Sequence, residues 1–175
     1  AYAEVNEFLQ MTDWNTQSYL DVAEMALAVA VSYDWLYDKL SPQLRKKCES
    51  AIVKFLFDTA EDERYRERFL AKNNWGQVLN TSLICCSIAF YDLDRERTRK
   101  LIRRGVNDIQ ISMEKGYAPD GIYPEGAMYW GYGTSFQIMA NEALTKVYHD
   151  LNKAYYGAVC DVDNLIGNEW LRIPH

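Results

Sequence analysis

Apolar residues recur with the spacing of an α-helix along most of this chain, and that pattern is the strongest constraint on its fold. The 175 residues include only four prolines, and the alternating pattern of a half-buried strand is almost absent. One long helix is predicted from a cap at residues 15–18 to about Lys39, and its middle, residues 23–31, is apolar nearly all round apart from Glu24. Such a helix belongs in the interior. We therefore predict an all-α fold made of antiparallel helix hairpins.

Local signals predict where the helices begin. Residues 15–18 offer several N-cap side chains for the first long helix, and Ser41 followed by Pro42 predicts an N-cap and first turn for the next, which should reach about Thr59. The charged run 61–68 is expected to form a solvated helix end or linker. Further helices are expected from Asn73, after Asp94, and from Ala127 towards His149.

Composition narrows the classes of function. A 49% apolar content is ample for one domain with a core. The formal net charge of −6 argues against a protein that grips nucleic acid over its whole surface, and any polyanion must meet a local basic patch. A basic helix could supply that patch, although a solvated outer face is the simpler interpretation. Its cations are Arg95, Arg97, Arg99, Lys100, Arg103 and Arg104.

Neither a metal nor a cofactor is expected, and neither is a membrane partner. The four cysteines lack a C-x-x-C spacing, and the adjacent pair Cys85 and Cys86 lies in an apolar helix where both should pack as small hydrophobes. No uncharged run of 18 residues is present to span a membrane, and the start of the chain does not read as a signal peptide.

Four amides gather where the helix from Asn73 begins. Residues 73–80 read NNWGQVLN, and Asn73, Gln77 and Asn80 share one helical face, with Asn74 beside Gln77. A buried amide without a partner costs roughly 1 to 3 kcal/mol, so an inward stripe implies internal hydrogen bonds or a polar ligand. Asn73 or Asn74 could also serve only as an N-cap.

A second motif, PDGIYPEGAMYWGYG at residues 119–133, combines glycines with aromatic rings and two carboxylates. Exposed backbone and flat rings suit a ligand-binding cleft, and a well-packed helix entry is the alternative. Tyr129 falls in the first turn of the following helix, where free N–H groups favour an anion, and Tyr132 lies one turn further on.

Together with LDVAEMA at residues 20–26 and YDWLYD at residues 33–38, these motifs resemble the heparinase II/III-like family of polysaccharide lyases. The resemblance implies an (α/α) toroid followed by a β-sandwich domain, so residues 1–175 are expected to form an incomplete toroid domain without its β-sandwich partner. It also implies export to the periplasm or beyond. The expected ligand is an acidic polysaccharide or oligosaccharide that contains uronic acid, such as a glycosaminoglycan or alginate.

Cleavage of such a polymer by β-elimination needs a base at C5, a group that stabilises the charge on the carboxylate, and an acid for the leaving oxygen. Tyr129 is the predicted base and acid, with Tyr132 as the alternative. Asn74 is expected to meet the substrate carboxylate. Histidine often stands there in the relatives, and His149 and His175 are poor substitutes for it. Further substrate contacts are predicted for Asn73, Gln77, Tyr132, Trp130, Tyr123 and Trp75, of which the tryptophans and Tyr123 could equally be core residues.

Three alternatives accompany this prediction. Asp120 and Glu125 suggest a two-carboxylate glycoside hydrolase, although both lie in one short loop and are better suited to shaping it. The chain could bind glycan without cleaving it. It could also be a scaffold in which the aromatic residues of the motif form core.

Overall fold

The computed structural model describes residues 2–118 and 121–154, and within them the chain is helical with no strand. The all-α prediction is confirmed. The helices are α1 (Tyr2–Phe8), α2 (Leu20–Trp35), α3 (Pro42–Ile52), α4 (Asp58–Ala60), α5 (Arg66–Phe69), α6 (Asn74–Ala89), α7 (Arg95–Gly116) and α8 (Ala127–Ala154), with 3-10 turns at Tyr37–Lys39, Glu63–Tyr65 and Tyr91–Leu93. None of these helices is both long enough and apolar enough to cross a membrane.

α2 and the helical run from α3 to α4 form an antiparallel hairpin. At one end, the hydroxyls of Tyr19 and Thr59 lie 2.7 Å apart. At the other, the Tyr33 hydroxyl donates to Glu49 at 2.9 Å. The later residue of α2 therefore contacts the earlier residue of the second helical run, as antiparallel packing requires.

α6 lies at the centre of the described structure, against α2, α7 and α8. Its packing on α7 is antiparallel, since Gly76 approaches Ser112 and Ile84 approaches Gly105. Its packing on α8 is parallel, since Gly133 approaches Gln77 and the Thr81 hydroxyl donates to the Phe136 carbonyl further along both helices.

α2 runs in the same direction as α6, because the rings of Tyr33 and Phe90, at the carboxyl ends of the two helices, lie 4.3 Å apart. α2, α6 and α8 therefore point the same way, while α3 and α7 run in the opposite direction. The main core forms around α2 and α6, and its buried members include Val22, Ala26, Ile52, Leu56, Leu79 and Leu83. Burying each valine, leucine or isoleucine among them stabilises the fold by about 1.5 to 3 kcal/mol.

The caps of the first two long helices differ from each other. Ser41 accepts from the Leu44 N–H and Pro42 occupies the first turn of α3, as predicted. Residues 15–18 do not cap α2, which corrects the prediction. α2 is preceded by Tyr19 in the left-handed conformation at φ 62°, without a side-chain cap. Tyr19 adopts it because its ring is fully buried against Phe69.

A π-helical turn, Val53–Phe57, joins α3 to α4 without ending the helix. The Thr59 hydroxyl donates to the Phe55 carbonyl at 2.7 Å, and Phe55 stacks on Trp14 with ring centroids 4.7 Å apart. The predicted extent of this helix, to about Thr59, is therefore confirmed.

The charged run 61–68 is not simply solvated, because two of its arginines anchor it to the rest of the protein. Arg66 pairs with Asp108 of α7 through two hydrogen bonds, one of them 2.9 Å between Nη2 and Oδ1, and Asp108 is only 5% exposed. Arg68 donates to the Thr16 carbonyl. A buried carboxylate needs such a partner, which the local sequence does not reveal.

Candidate functional site

The amides at the start of α6 face inward, as their spacing predicts. Asn74, Gln77 and Asn80 are each at most 1% exposed. Asn73 is the N-cap, and its side chain accepts from the Trp75 N–H at 3.2 Å. The N-cap interpretation thus holds for Asn73, and the inward interpretation holds for Asn74, Gln77 and Asn80.

Glu125, from the loop before α8, binds the start of α6. Its carboxylate accepts from Asn74 Nδ2 at 2.7 Å and from the Asn74 backbone N–H at 3.4 Å, and from Asn73 Nδ2 at 3.5 Å. An anion is also favoured there by the positive end of the helix. We call Asn73, Asn74 and Glu125 the glutamate network. Its donors are the ones predicted to receive a substrate carboxylate, and the protein's own carboxylate occupies them.

Gln77 continues this internal bonding. Its Oε1 accepts from the Tyr123 hydroxyl at 3.2 Å, and its Nε2 donates to the Tyr117 hydroxyl at 3.1 Å. The Tyr117 hydroxyl lies 2.6 Å from the Thr134 hydroxyl. Tyr123 is 6% exposed, so it packs as core, the alternative left open for it. Trp75 is half-buried.

The side-chain nitrogen of Asn80 is also satisfied within the protein. Its Nδ2 donates to the carbonyls of Phe69 and Gly76, both at 2.8 Å. Three buried amide oxygens, those of Asn74, Asn80 and Gln137, have no hydrogen-bond partner among the described residues. The inward stripe therefore mainly joins α6 to its neighbours.

α8 comes close to α6 at Gly133. A Cβ at this position would lie 2.2 Å from Gln77 Oε1 and 3.1 Å from Asn74 Cβ. The glycine-rich character of the motif therefore serves helix packing here, which brings the first turns of α8 against the glutamate network.

The first turns of α8 also expose aromatic rings. Tyr129 is 42% and Trp130 47% exposed. One turn on, the Tyr132 hydroxyl donates to Glu24 of α2 at 2.5 Å. We call Glu24, Glu125, Tyr129, Trp130 and Tyr132 the acidic aromatic surface. The predicted site residues thus lie in or near the first turns of α6 and α8, with Tyr129 exposed and Asn74 buried.

The environment of Tyr132 disfavours its phenolate. Burial, then the hydrogen bond to Glu24 and the negative charges of Glu24 and Asp21, raise the pKa of Tyr132 well above its usual value. A general base at neutral pH needs the opposite shift. The partner Glu24 was not predicted as a site residue, although it is the one charge in an otherwise apolar stretch of α2.

Several sequence predictions fall outside the region that can be described. Asp120 and His175 lie outside the described residues, as does the side chain of His149. Among residues 2–118 and 121–154, no group of three or more His, Cys, Asp or Glu side chains is arranged to hold a metal ion. Cys48 and Cys86 are buried free thiols, and burial raises the pKa of Cys48 to about 11.

Comparison with known proteins overturns the lyase prediction. No family model matches the chain. It is similar to a curated protein named Oligopeptidase PepF from Bacillus subtilis (strain 168), with 59% identity over 34 residues, which are 19% of this chain and 5% of that protein. The chain thus matches only a small part of its relative's length.

The prediction of a heparinase II/III-like lyase is therefore wrong, because the named relative is a peptidase. The predicted lyase reaction and enzyme class are wrong for the same reason, and the glycan-binding and glycoside hydrolase alternatives have no support. The sequence motifs misled because inward amides and glycines beside aromatics also suit an internal network and close helix packing. Expectations of an exported protein, an acidic glycan partner and a β-sandwich domain came with that resemblance and stay predictions, as do the individual site roles.

Proposed function

We propose that this chain is a helical segment of a peptide-processing protein and that it binds peptides on the acidic aromatic surface. The observation that carries the proposal is the occupation of the amide donors by Glu125, at 2.7 Å from Asn74 Nδ2. The surface then presents two carboxylates, those of Glu24 and Glu125. The similarity to an oligopeptidase supports peptide as the ligand class.

The charge of this surface favours cationic ligands. Glu24 and Glu125 are both exposed, and Asp21 lies close enough to influence Tyr132. Carboxylates attract ammonium and guanidinium groups and repel anionic chains. A peptide with a free amino terminus or basic side chains therefore suits the surface.

The aromatic residues suit side chains of a bound peptide. Trp130 and Tyr129 lie in the first turn of α8, and Met128 beside them is 73% exposed. Large exposed rings of this kind anchor ligands because they bury much apolar area with little loss of side-chain freedom.

We also propose that the helices form part of an (α/α) toroid, for a reason separate from the family resemblance that first implied it. The parallel direction of α2, α6 and α8, with α3 and α7 antiparallel to them, supports an inner and an outer layer. Small-angle scattering of the longer protein tests this arrangement, since a closed toroid and an extended helical array give different distance distributions.

Calorimetric titration with a pentapeptide of alternating alanine and arginine, with a free amino terminus, tests peptide binding. We expect saturable binding by the chain and none of an N-acetylated pentapeptide of alternating alanine and glutamate. Trp130→Ala should weaken binding by at least about fivefold, since truncation of an anchoring tryptophan typically costs more than about 1 kcal/mol.

The matched control is Trp35→Ala. Trp35 is 80% exposed and lies at the other end of the helical layer, so its removal should leave peptide affinity unchanged. Absence of saturable binding, or an equal affinity for the two pentapeptides, would overturn the proposal. So would equal effects of the two tryptophan substitutions.

A further inference from the structure

A concave site lies at the opposite end of the helical layer from the glutamate network. It is a cavity of about 170 Å³ whose lining includes Tyr33, Asp34, Tyr37, Phe90, Tyr91 and Asp92. We call it the aromatic pocket. The 16 residues of α6 separate it from the glutamate network by roughly 24 Å at 1.5 Å per residue, so it is independent of the proposed function.

Aromatic rings form much of this pocket. Tyr33 packs on Phe90 at 4.3 Å between ring centroids and meets Tyr37 edge-on at 5.3 Å. The Arg45 guanidinium already lies over the Tyr37 ring, 4.5 Å from its centroid. Ring faces of this kind attract cations through their quadrupole.

The local electrostatics point the same way. α2 and α6 are parallel and end at Trp35 and Ala89, so the negative ends of two helix dipoles meet at the pocket. Asp34 is exposed and makes no hydrogen bond or ion pair with the described residues. Its charge is therefore available to a ligand.

The cations around the pocket have partners of their own. Arg45 lies on Tyr37, Arg95 pairs with Asp92 at 2.6 Å, and Arg99 donates to the Tyr91 hydroxyl at 2.9 Å. Asp34 is the lining carboxylate that these contacts leave uncompensated.

We propose that the aromatic pocket binds an alkylammonium group. A protonated amine combines a compact charge for the ring faces with N–H donors for Asp34. The cavity volume admits such a head group with a short alkyl stem, and the rings cover the stem. The group could belong to a small free amine or to a lysine side chain within a peptide.

Nuclear magnetic resonance titration of the ¹⁵N-labelled chain tests this site. n-Butylammonium chloride represents the free amine, and acetyl-alanyl-lysyl-alanine amide represents lysine within a peptide. We expect saturable shifts for backbone amides of residues 33–38 and 90–93, with 1-butanol, the neutral analogue, giving no saturable shifts. Binding of both amines would assign recognition to the head group alone, and binding of butylammonium alone would assign the pocket to free amines.

Two exposed substitutions and one control decide the proposal. Asp34→Asn should weaken butylammonium binding by roughly threefold to fivefold, as expected for an exposed ion pair, and Tyr37→Ala by about threefold. Asp38→Asn is the control, because Asp38 is exposed nearby but does not line the pocket. Equal shifts with 1-butanol, an unchanged affinity in Asp34→Asn, or equal losses in Asp34→Asn and Asp38→Asn would overturn the proposal.

Discussion

The two ends of α6 use polar and aromatic residues in opposite ways. At its start, Asn74, Gln77 and Glu125 bond to other groups of the protein. Near its end, Asp34 of α2 lines a cavity between aromatic rings and makes no such bond with the described part of the chain. The comparison teaches that the amide motif bonds mainly within the protein, while the open cavity forms where residues 33–37 meet residues 88–93.

The largest change in stability is expected when the packing at the start of α6 is disturbed. An added Cβ at Gly76 would lie 2.3 Å from the Ala71 carbonyl oxygen and 2.8 Å from Ser112 Cβ. Because the first of these atoms belongs to the backbone, we expect Gly76→Ala to lower the free energy of unfolding by about 3 kcal/mol, measured by urea denaturation.

Gly131→Ala is the matched control for that substitution. No heavy atom lies within 4 Å of an added Cβ at Gly131, and alanine favours a helix over glycine by about 1 kcal/mol. Its stability should therefore equal or exceed that of the parent. If Gly76→Ala and Gly131→Ala lowered the free energy of unfolding equally, the close approach at Gly76 would not be the cause of the loss.

A smaller effect is expected from removing one carboxylate at each end. Glu125→Ala leaves the buried Asn74 amide without its acceptor, so we expect a loss of about 2 kcal/mol in the free energy of unfolding. Asp34→Ala removes an exposed carboxylate that has no partner among the described residues, and it should change stability by less than about 0.5 kcal/mol. Thermal and urea unfolding of the two variants measure this contrast, and losses of similar size would erase the distinction between the two ends.

The smallest effect concerns Tyr132. Tyr132→Phe deletes its hydrogen bond to Glu24, which should cost about 0.5 to 1 kcal/mol at neutral pH. Tyr129→Phe, at an exposed position of the same helix, should leave stability unchanged. Urea denaturation at pH 7 distinguishes them, and a larger loss in Tyr129→Phe would contradict the assigned contacts.

The same residue gives stability a dependence on pH. Because the folded pKa of Tyr132 is raised from 10.0, the unfolded chain releases this proton first as the pH rises. Its contribution to stability is therefore complete below pH 10 and declines above it, so Tyr132→Phe should lose less stability than the parent between pH 9 and pH 11. An equal decline in the free energy of unfolding of both proteins would show that Tyr132 does not cause this pH dependence.

Much of the fold follows from local pattern. Helical periodicity predicted the all-α class, Ser41 and Pro42 predicted the start of α3, and amide spacing predicted that Gln77 and Asn80 face inward. These features depend on neighbours within a turn or two of helix. The start of α2 was missed because Tyr19 owes its left-handed backbone to burial against Phe69, 50 residues away.

The candidate site was harder to predict because its bonds join distant segments. Nothing in the Asn73 motif reveals that Glu125, 51 residues later, would occupy its donors. Residue types and spacing suggested a substrate carboxylate, and a protein carboxylate fits the same donors equally well. The aromatic pocket was missed for the same reason, since its residues come from the ends of α2 and α6.

The π-helical turn Val53–Phe57 explains how one helical run keeps its apolar stripe against the core. Leu44, Cys48, Ile52, Leu56 and Ala60 recur every fourth residue and are all at most 5% exposed. In an ideal α-helix of 3.6 residues per turn, each such step drifts about 40° around the axis. The wider turn, closed by hydrogen bonds between residues five apart, unwinds the run and offsets part of that drift. A strict period of four in an apolar stripe is thus itself a readable sign of an underwound helix.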